Sequence, residues 1–413
     1  SSSSHPSVVD PDPSSDDTPT VDLWMAKSHR MLFRRRLVSV HMEVAEGSVR
    51  IEVPAETDGA AEAVGDGVFY NPTQRLNRDI TVAVLQAYGT REPRASSYLD
   101  GMTASGIRAV RAARAGYAAT AVDIDPDATA LAAANAQRND LEVDVRTADV
   151  NAVLHTDVFD VTDIDPFGSP VGYLDAAIVG TRNLLCVTAT DTAPLCGAHQ
   201  AAGIRRYGAV PQNTTYHREM GLRVLVGAIV RTAARYDVAA VPILAHATRH
   251  YVRVYTELDR SASAADRAVG ALGWIDHCPE CLFRTHTYGM VPDGRSRCPH
   301  CDSDQLLTAG PLFLGPTTEP AFAAATAAAI DPTAVTADEA GRLLDQLASE
   351  LPRPTHYDQH RLCHRWSRSA PPMTPFLEAL AAAGFAVSRT HYGGTTFKTD
   401  ASVAEIEAVT AGV

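Results

Sequence analysis

Four cysteines stand in two identical pairs, Cys278-Pro279-Glu280-Cys281 and Cys298-Pro299-His300-Cys301, separated by 16 residues. Two such knuckles supply the four thiolates that a tetrahedral zinc ion takes. Four protein ligands leave no open position for a substrate, so the metal would be structural. Two redox dithiols, or four free thiols, are the competing reading of the same residues.

A second group is Tyr98-Leu99-Asp100-Gly101-Met102-Thr103-Ala104-Ser105-Gly106-Ile107-Arg108. It follows an expected strand and opens an expected helix, so its small residues let backbone approach a ligand at the helix amino terminus. It is not a dinucleotide fingerprint, since only Gly101 and Gly106 are in place. Asp123 lies 23 residues after Asp100 at the end of the next strand, where a carboxylate can accept both hydroxyls of an adenosine ribose. Asp149 ends the third strand and would meet the adenine amino group. With no second nucleotide half, a mononucleoside such as S-adenosylmethionine fits better than NAD.

The third group decides the chemistry. Asp163-Ile164-Asp165-Pro166-Phe167-Gly168-Ser169-Pro170 falls at the carboxyl end of the fourth expected strand, the edge where doubly wound sheets place their sites. A carboxylate, a proline carbonyl and an aromatic ring in succession suit methylation of a planar exocyclic amine. The two oxygens can accept the N–H hydrogens, which turns the nitrogen lone pair out of conjugation, while Phe167 stacks on the base. Asp165 can also take the released proton.

The elements that must position these residues follow from periodicity. Beyond a short strand at Val49–Val53 and a helix whose Leu76, Ile80, Ala83, Val84 and Ala87 share one face, strands and helices alternate to about residue 236. Two strands near 239–245 and 251–258 have no helix between them and should pair antiparallel. The expected α/β fold is therefore a Rossmann-like, mostly parallel sheet with a carboxy-terminal antiparallel hairpin, the arrangement of class I methyltransferases. A carboxy-terminal α+β domain carrying the cysteine site follows it. The expected domains are a methyltransferase domain over 42–260 and a second domain over 261–413, with the zinc ribbon at 274–305 and an Ala-rich helical region at about 318–350. Ser1 to Thr20 is Ser/Pro/Asp-rich and a basic stretch, Arg30–Arg36, follows; that stretch is either a nucleic-acid arm or, the preferred reading, part of a disordered leader over 1–41 ahead of a start at Met42.

These 413 residues, 45% hydrophobic, suffice for a sizeable core and exclude a collagen-like or wholly disordered chain. Acids outnumber bases 49 to 36 for a net charge of −13, and all but two of the bases, Lys27 and Lys398, are arginines. That balance excludes coating of nucleic acid by bulk positive charge. It suits a high-salt cytoplasm. No apolar run reaches the roughly 20 residues of a membrane span, and no secretory segment is seen. Seven unevenly spread cysteines do not make a secreted disulfide framework. Cys186 and Cys196 are expected to be buried thiols.

The three groups together resemble the tRNA guanine-26 N2-dimethyltransferase family. So do Phe69-Tyr70-Asn71-Pro72 with Arg75–Asp79, Thr188-Ala189-Thr190-Asp191-Thr192-Ala193-Pro194-Leu195-Cys196-Gly197, and the terminal Thr390-His391-Tyr392 with Lys398-Thr399-Asp400-Ala401. The composition suits an archaeal, specifically halophilic, member. The resemblance implies that Arg78 and Arg108 contact the methionine carboxylate of S-adenosylmethionine. It implies further that Asp123 holds the ribose, that Asp149 and Val150 flank the adenine, and that Asp100 belongs to the same cofactor loop. Asp165 would be the catalytic carboxylate, and Phe167 with Phe69 would sandwich the flipped guanine. Structural zinc, a tRNA partner gripped by the carboxy-terminal domain, and no obligate protein partner complete the expectation. Arginines on the ribbon (Arg284, Arg295, Arg297) and in the terminal region (Arg353, Arg361, Arg365, Arg368) would carry RNA contact on an acidic protein. Lys398 is either a phosphate contact or a solvated surface lysine. His246, Arg249, His250 and Arg253 either face nucleic acid or are satisfied hairpin residues. The rival activities are exocyclic-amine methylation of rRNA or DNA, and a non-catalytic zinc-ribbon RNA-binding protein.

Overall fold

A hairpin of β1 (His41–Glu46) and β2 (Val49–Pro54) opens the part of the chain that the computed structural model describes, residues 41–54 and 68–413. The leader expected over 1–41, apart from His41, and the Gly-rich loop before Val68 lie outside the described residues. Alternation buries Val49, Ile51 and Val53. The outer edge of β2 is satisfied by a helix rather than a strand. Asn135 accepts from the Glu52 amide at 2.7 Å and donates to its carbonyl at 2.9 Å, and Asn139 does the same for Arg50 at 3.0 and 2.7 Å. Two asparagines one helical turn apart thus cover an exposed edge.

Seven strands form the central sheet: β3 (Ser97–Asp100), β4 (Ala118–Asp123), β5 (Val143–Thr147), β6 (Phe159–Ile164), β7 (Thr181–Ala189), β8 (Ala239–Thr248) and β9 (Tyr251–Asp259). Their order is β5-β4-β3-β6-β7-β9-β8. The first five run parallel, and β9 lies antiparallel between β7 and β8. Parallel strands covered on both faces read as continuous burial rather than alternation, and all six residues of β6 are buried. The chain moves outward from β3 on one side through β4 and on the other through β6. This makes the carboxyl end of β3 the topological switch point.

One core packs the helix His217–Ala234 against the sheet, and the other packs the helix Arg75–Arg91 on the opposite face. Of the hairpin residues left between nucleic-acid contact and satisfaction within the fold, three are bonded within the fold and His250 is exposed. His246 and Arg253 are fully buried, and Arg249 pairs with Glu339. Cys186 is buried and Cys196 half-buried.

The ribbon is a three-stranded sheet, β10 (Leu272–His277), β11 (Arg284–Tyr288) and β12 (Leu307–Phe313), in the order β11-β10-β12. Its Leu272, Ile275, Leu312 and Phe313 belong to the same core as the central sheet. The Ala-rich region forms two helices, Pro320–Ala328 and Ala337–Ser349. A last sheet, β13 (Tyr357–Asp358), β14 (Val387–Arg389) and β15 (Thr396–Thr399), encloses Leu362, Phe376, Leu380 and Phe397. Lys398 on β15 is 2% exposed, between Glu219 and Glu350. It is neither a phosphate contact nor a solvated lysine. Among the described residues no helix is long and apolar enough to cross a membrane.

Candidate active site

The loop after β3 is shaped by two glycines. A Cβ on Gly101 would lie 3.0 Å from the Asp163 carbonyl and from Ile164. Gly106, at φ +79°, caps the helix Ile107–Arg114 so close to Ala132 that a Cβ would sit 2.7 Å from its Cα. Asp100 is buried beneath this loop, accepting from the Thr103 hydroxyl at 2.7 Å and the Ala109 amide at 3.1 Å. Burial first, and the Asp163 charge second, push its carboxyl up to about 7. Asp123, at the end of β4, accepts from the Ala104 amide at 2.9 Å and so holds the loop's turn at Ala104, φ +45°. Asp149 follows β5 and caps the helix Val150–Thr156 through the Asn151 amide at 2.8 Å; the carboxylate is exposed, Val150 buried. Gly101, Asp123, Asp149 and Val150 thus come together along the carboxyl ends of three adjacent strands.

Beside this ledge a chain of charges runs outward from the core. Arg253 donates through both terminal nitrogens to Asp163, each at 2.7 Å, and both side chains are fully buried. The Tyr98 hydroxyl adds a bond to Asp163 at 3.0 Å. Burial alone would raise the Asp163 carboxyl, but Arg253 and Arg108 hold it below the ordinary range. Arg108 stands 3.5 Å from Asp163 and donates to Asp165 Oδ2 through Nε, at 2.9 Å, and through Nη2. Asp165 is 20% exposed and ends the chain at the surface. The next loop residues are clamped to the end of β7: the Gly168 amide donates to the Thr190 hydroxyl at 2.8 Å, and the Thr190 amide to the Gly168 carbonyl at 3.0 Å. Phe167 is therefore presented outward, 74% exposed, against Phe69, which is 45% exposed. Their rings touch edge to face, 4.4 Å between centroids.

A family model for N2,N2-dimethylguanosine tRNA methyltransferases matches residues 47–411. The chain belongs to this family. It is 54% identical over 379 residues to the tRNA (guanine(26)-N(2))-dimethyltransferase of Haloquadratum walsbyi, covering 89% of this chain and 98% of that one. It is 55% identical over 370 residues to the enzyme of the same name from Haloarcula marismortui, covering 90% and 100%. Among solved structures it is similar to Trm1 from Pyrococcus horikoshii in complex with S-adenosyl-L-methionine, with TM-score 0.79 and 31% identity over 89% of this chain and 99% of that one.

Within this dimethyltransferase family member, Arg78 stands apart from the ledge's acids. Its Nε and Nη2 donate to Glu46 at 2.8 and 2.5 Å, and Arg111 (3.1 Å) and the Tyr70 hydroxyl (2.6 Å) converge on the same carboxylate. Burial would raise Glu46; the bonds from Arg78 and Tyr70 and the Arg111 charge bring it down to about 2. Sequence reasoning missed Glu46, and it missed that Asp163 and Arg253 are each other's partners. For Glu46 a signal was available: the two-residue period of β1 sets it on the buried face with Val44.

The four cysteine sulfurs lie within 4.8 Å of one another, Cys278 to Cys301 at 3.7 Å and Cys281 to Cys298 at 3.6 Å. A tetrahedron of ligands about 2.3 Å from zinc has edges near those values. Both knuckles share one backbone plan. The Leu282 amide donates to the Cys278 carbonyl and the Asp302 amide to that of Cys298, each at 2.9 Å, with both donors at φ +59°. The thiol set therefore fits zinc, held by the two knuckles without an open position.

Proposed function

We propose that the protein transfers methyl groups from S-adenosylmethionine to the N2 amine of guanine 26 in tRNA, giving N2-methyl- and then N2,N2-dimethylguanosine, in the cytoplasm. The observation that carries this reading is the surface end of the charge chain: an anchored carboxylate beside two exposed phenyl rings, next to acids at the carboxyl ends of adjacent strands.

The cofactor supplies an electrophilic methyl group, so the residues have mainly to position the amine. Asp165, locked in direction by Arg108, accepts an N–H of the guanine amine and takes up the proton released on transfer. The Pro166 carbonyl is the second acceptor. Phe69 and Phe167 part to receive the flipped base between them. Asp123 and Asp149 take the ribose and the adenine edge, with Val150 and Gly101 forming an apolar floor, and Asp100 holds the loop from below. Arg78 and Arg108 face the methionine carboxylate; Arg78 Nη1 is free of a protein acceptor among the described residues, which leaves it a donor to offer. Residues 42–260 carry this chemistry, and 261–413 grip the tRNA through a ribbon held by zinc on Cys278, Cys281, Cys298 and Cys301.

Reaction with unmodified tRNA, followed by mass spectrometry of nucleosides and primer-extension mapping, tests the reading. Dimethylguanosine at position 26 is the expected product. Methylation confined to rRNA or DNA, or no transfer to any of the three, would overturn it.

A further inference from the structure

A groove of about 850 Å³ opens between the segment leading into the helix His217–Ala234, the first cysteine knuckle and the helix Gln359–Arg365. None of its twelve lining residues is acidic, in a chain where acids outnumber bases 49 to 36. The smaller cavity of about 470 Å³ beside the β1–β2 hairpin is lined by Glu46, Asp79 and Asp331. The contrast reflects local choice rather than bulk composition.

The helix explains the wall. Leu362 and Cys363 are buried in the terminal core, which leaves His360, Arg361, His364 and Arg365 on the exposed side. Arg361 and Arg365 are four residues apart, about 6 Å along the helix axis, a separation that neighbouring phosphates of one strand can span. Three other arginines are committed: Arg249 to Glu339, Arg297 to Asp302, Arg284 to the His356 carbonyl. The Arg361 and Arg365 guanidiniums have no acceptor among the described residues. His217 faces them from the other wall. On the floor, the Thr215 hydroxyl is shielded from water and has no hydrogen-bond partner.

The floor also connects with the base-binding loop. A Cβ on Gly197 would come within 2.4 Å of the Gln212 backbone and 2.5 Å of the Asn213 amide. Gly197 closes the Thr188–Gly197 run, which contains Thr190, whose hydroxyl holds Gly168. Groove and candidate base site are therefore joined by directly packed backbone.

We propose that this groove holds the sugar–phosphate backbone of the RNA substrate, with Arg361 and Arg365 on phosphates and His217, His360, His364 and Thr215 as hydrogen-bonding partners along the strand. The inference rests on the tRNA methyltransferase reading and extends it to where the RNA is gripped outside the modified base. The groove offers no Phe, Tyr or Trp, so it suits backbone contact rather than base stacking.

The test is binding of an unmodified tRNA transcript across a salt series, with steady-state methylation measured alongside. Each arginine on a phosphate contributes roughly 0.7 to 0.9 to the slope of log affinity against log salt. The double variant Arg361→Ala/Arg365→Ala should lose about 1.5 of that slope and raise the KM for tRNA about tenfold, with kcat at saturating tRNA and the Kd for S-adenosylmethionine unchanged. Arg361→Lys/Arg365→Lys should recover most of the slope, and Arg267→Ala, an exposed arginine elsewhere, should leave it unaltered. A wild-type slope and KM in the double alanine variant would overturn the proposal. So would a fall in kcat at unchanged KM, or displacement of tRNA by polyaspartate as effectively as by unlabelled tRNA. Because the slope is read without turnover, a wild-type protein that bound tRNA but transferred no methyl group would count against the activity, not against the groove.

Discussion

Two clusters of buried charge divide the molecule's work. In one, Arg253, Asp163, Arg108 and Asp165 alternate in sign from the core to the surface. In the other, Glu219 and Glu350 enclose Lys398, with Arg223, His356 and His391 closing the remaining valences. Both balance two acids against two permanent cations. They differ in closure. The second is sealed on every side: Arg223 also donates to the Phe313 and Gly315 carbonyls, and His391 bonds Glu350 through Nδ1 and the Ala247 amide through Nε2. It ties the helix His217–Ala234 to the terminal sheet and has nothing left to offer a ligand. The first ends in a carboxylate with one oxygen still open to solvent. A buried ion pair is weak evidence for stability, so the useful distinction is whether the network terminates inside the protein or at its edge.

The largest expected effect is at that edge. Asp165→Ala should lower kcat by roughly 10²–10⁴ while the Kd for S-adenosylmethionine, read by calorimetry, changes little. Near wild-type transfer by this variant would make the chain a structural feature like its counterpart.

The reverse pattern is expected at the sealed cluster. Lys398→Met leaves Glu219 and Glu350 facing each other with less compensation, and removing one partner from such a network costs about 3–5 kcal/mol. Denaturant unfolding at fixed salt should show that loss, while kcat per folded molecule stays near wild type. A collapse of kcat without a loss of stability would erase the distinction between the clusters.

Neither cluster was legible as such. The alternation of strands and helices was, because it is written in local periodicity. The placing of Asp100, Asp123 and Asp149 at strand ends was as well, because each closes or directly follows a strand that local patterning marks. Lys398 looked like a surface or phosphate-binding residue because its partners, Glu219 and Glu350, come from distant segments that only the tertiary fold brings together. Arg253 was left open for the same reason: on a hairpin strand it could face nucleic acid or be satisfied, and only the sheet order β6-β7-β9 sets it on Asp163. Buried charge is a property of long-range pairing, which one-dimensional patterning does not record.

A smaller effect separates the first cluster by pH. Asp100 has a folded-state pKa of about 7 against an ordinary 3.8, raised by burial and then by Asp163. A carboxyl raised on folding stabilises fully below its unfolded value, and that contribution is lost as pH climbs to the folded value, at about 1.4 kcal/mol per pH unit. Glu219, well below the ordinary range, and Glu350, at about 2, work in the opposite sense and lose their contribution only as pH falls beneath the carboxylate range. Between pH 4 and 7, then, the slope of stability on pH should carry a negative component from Asp100. Asp100→Asn should remove it, becoming more stable relative to wild type as pH rises. Equal slopes for the two proteins would show that Asp100 is ionised in the fold.

The smallest effect probes how the open end opens. Phe69 and Phe167 touch in the free protein, a contact worth about 0.5–1.5 kcal/mol that, on the proposed function, a guanine entering between them must break. Each ring then gains a stacking face worth about 1–3 kcal/mol. A single alanine loses one face but spares the ring–ring contact; the double variant loses both faces and spares that contact once only. The loss in kcat/KM for tRNA in Phe69→Ala/Phe167→Ala should therefore exceed the sum of the two single losses by about the ring–ring energy. Strict additivity would mean that the rings need not part, and that the base lies against Phe167 alone.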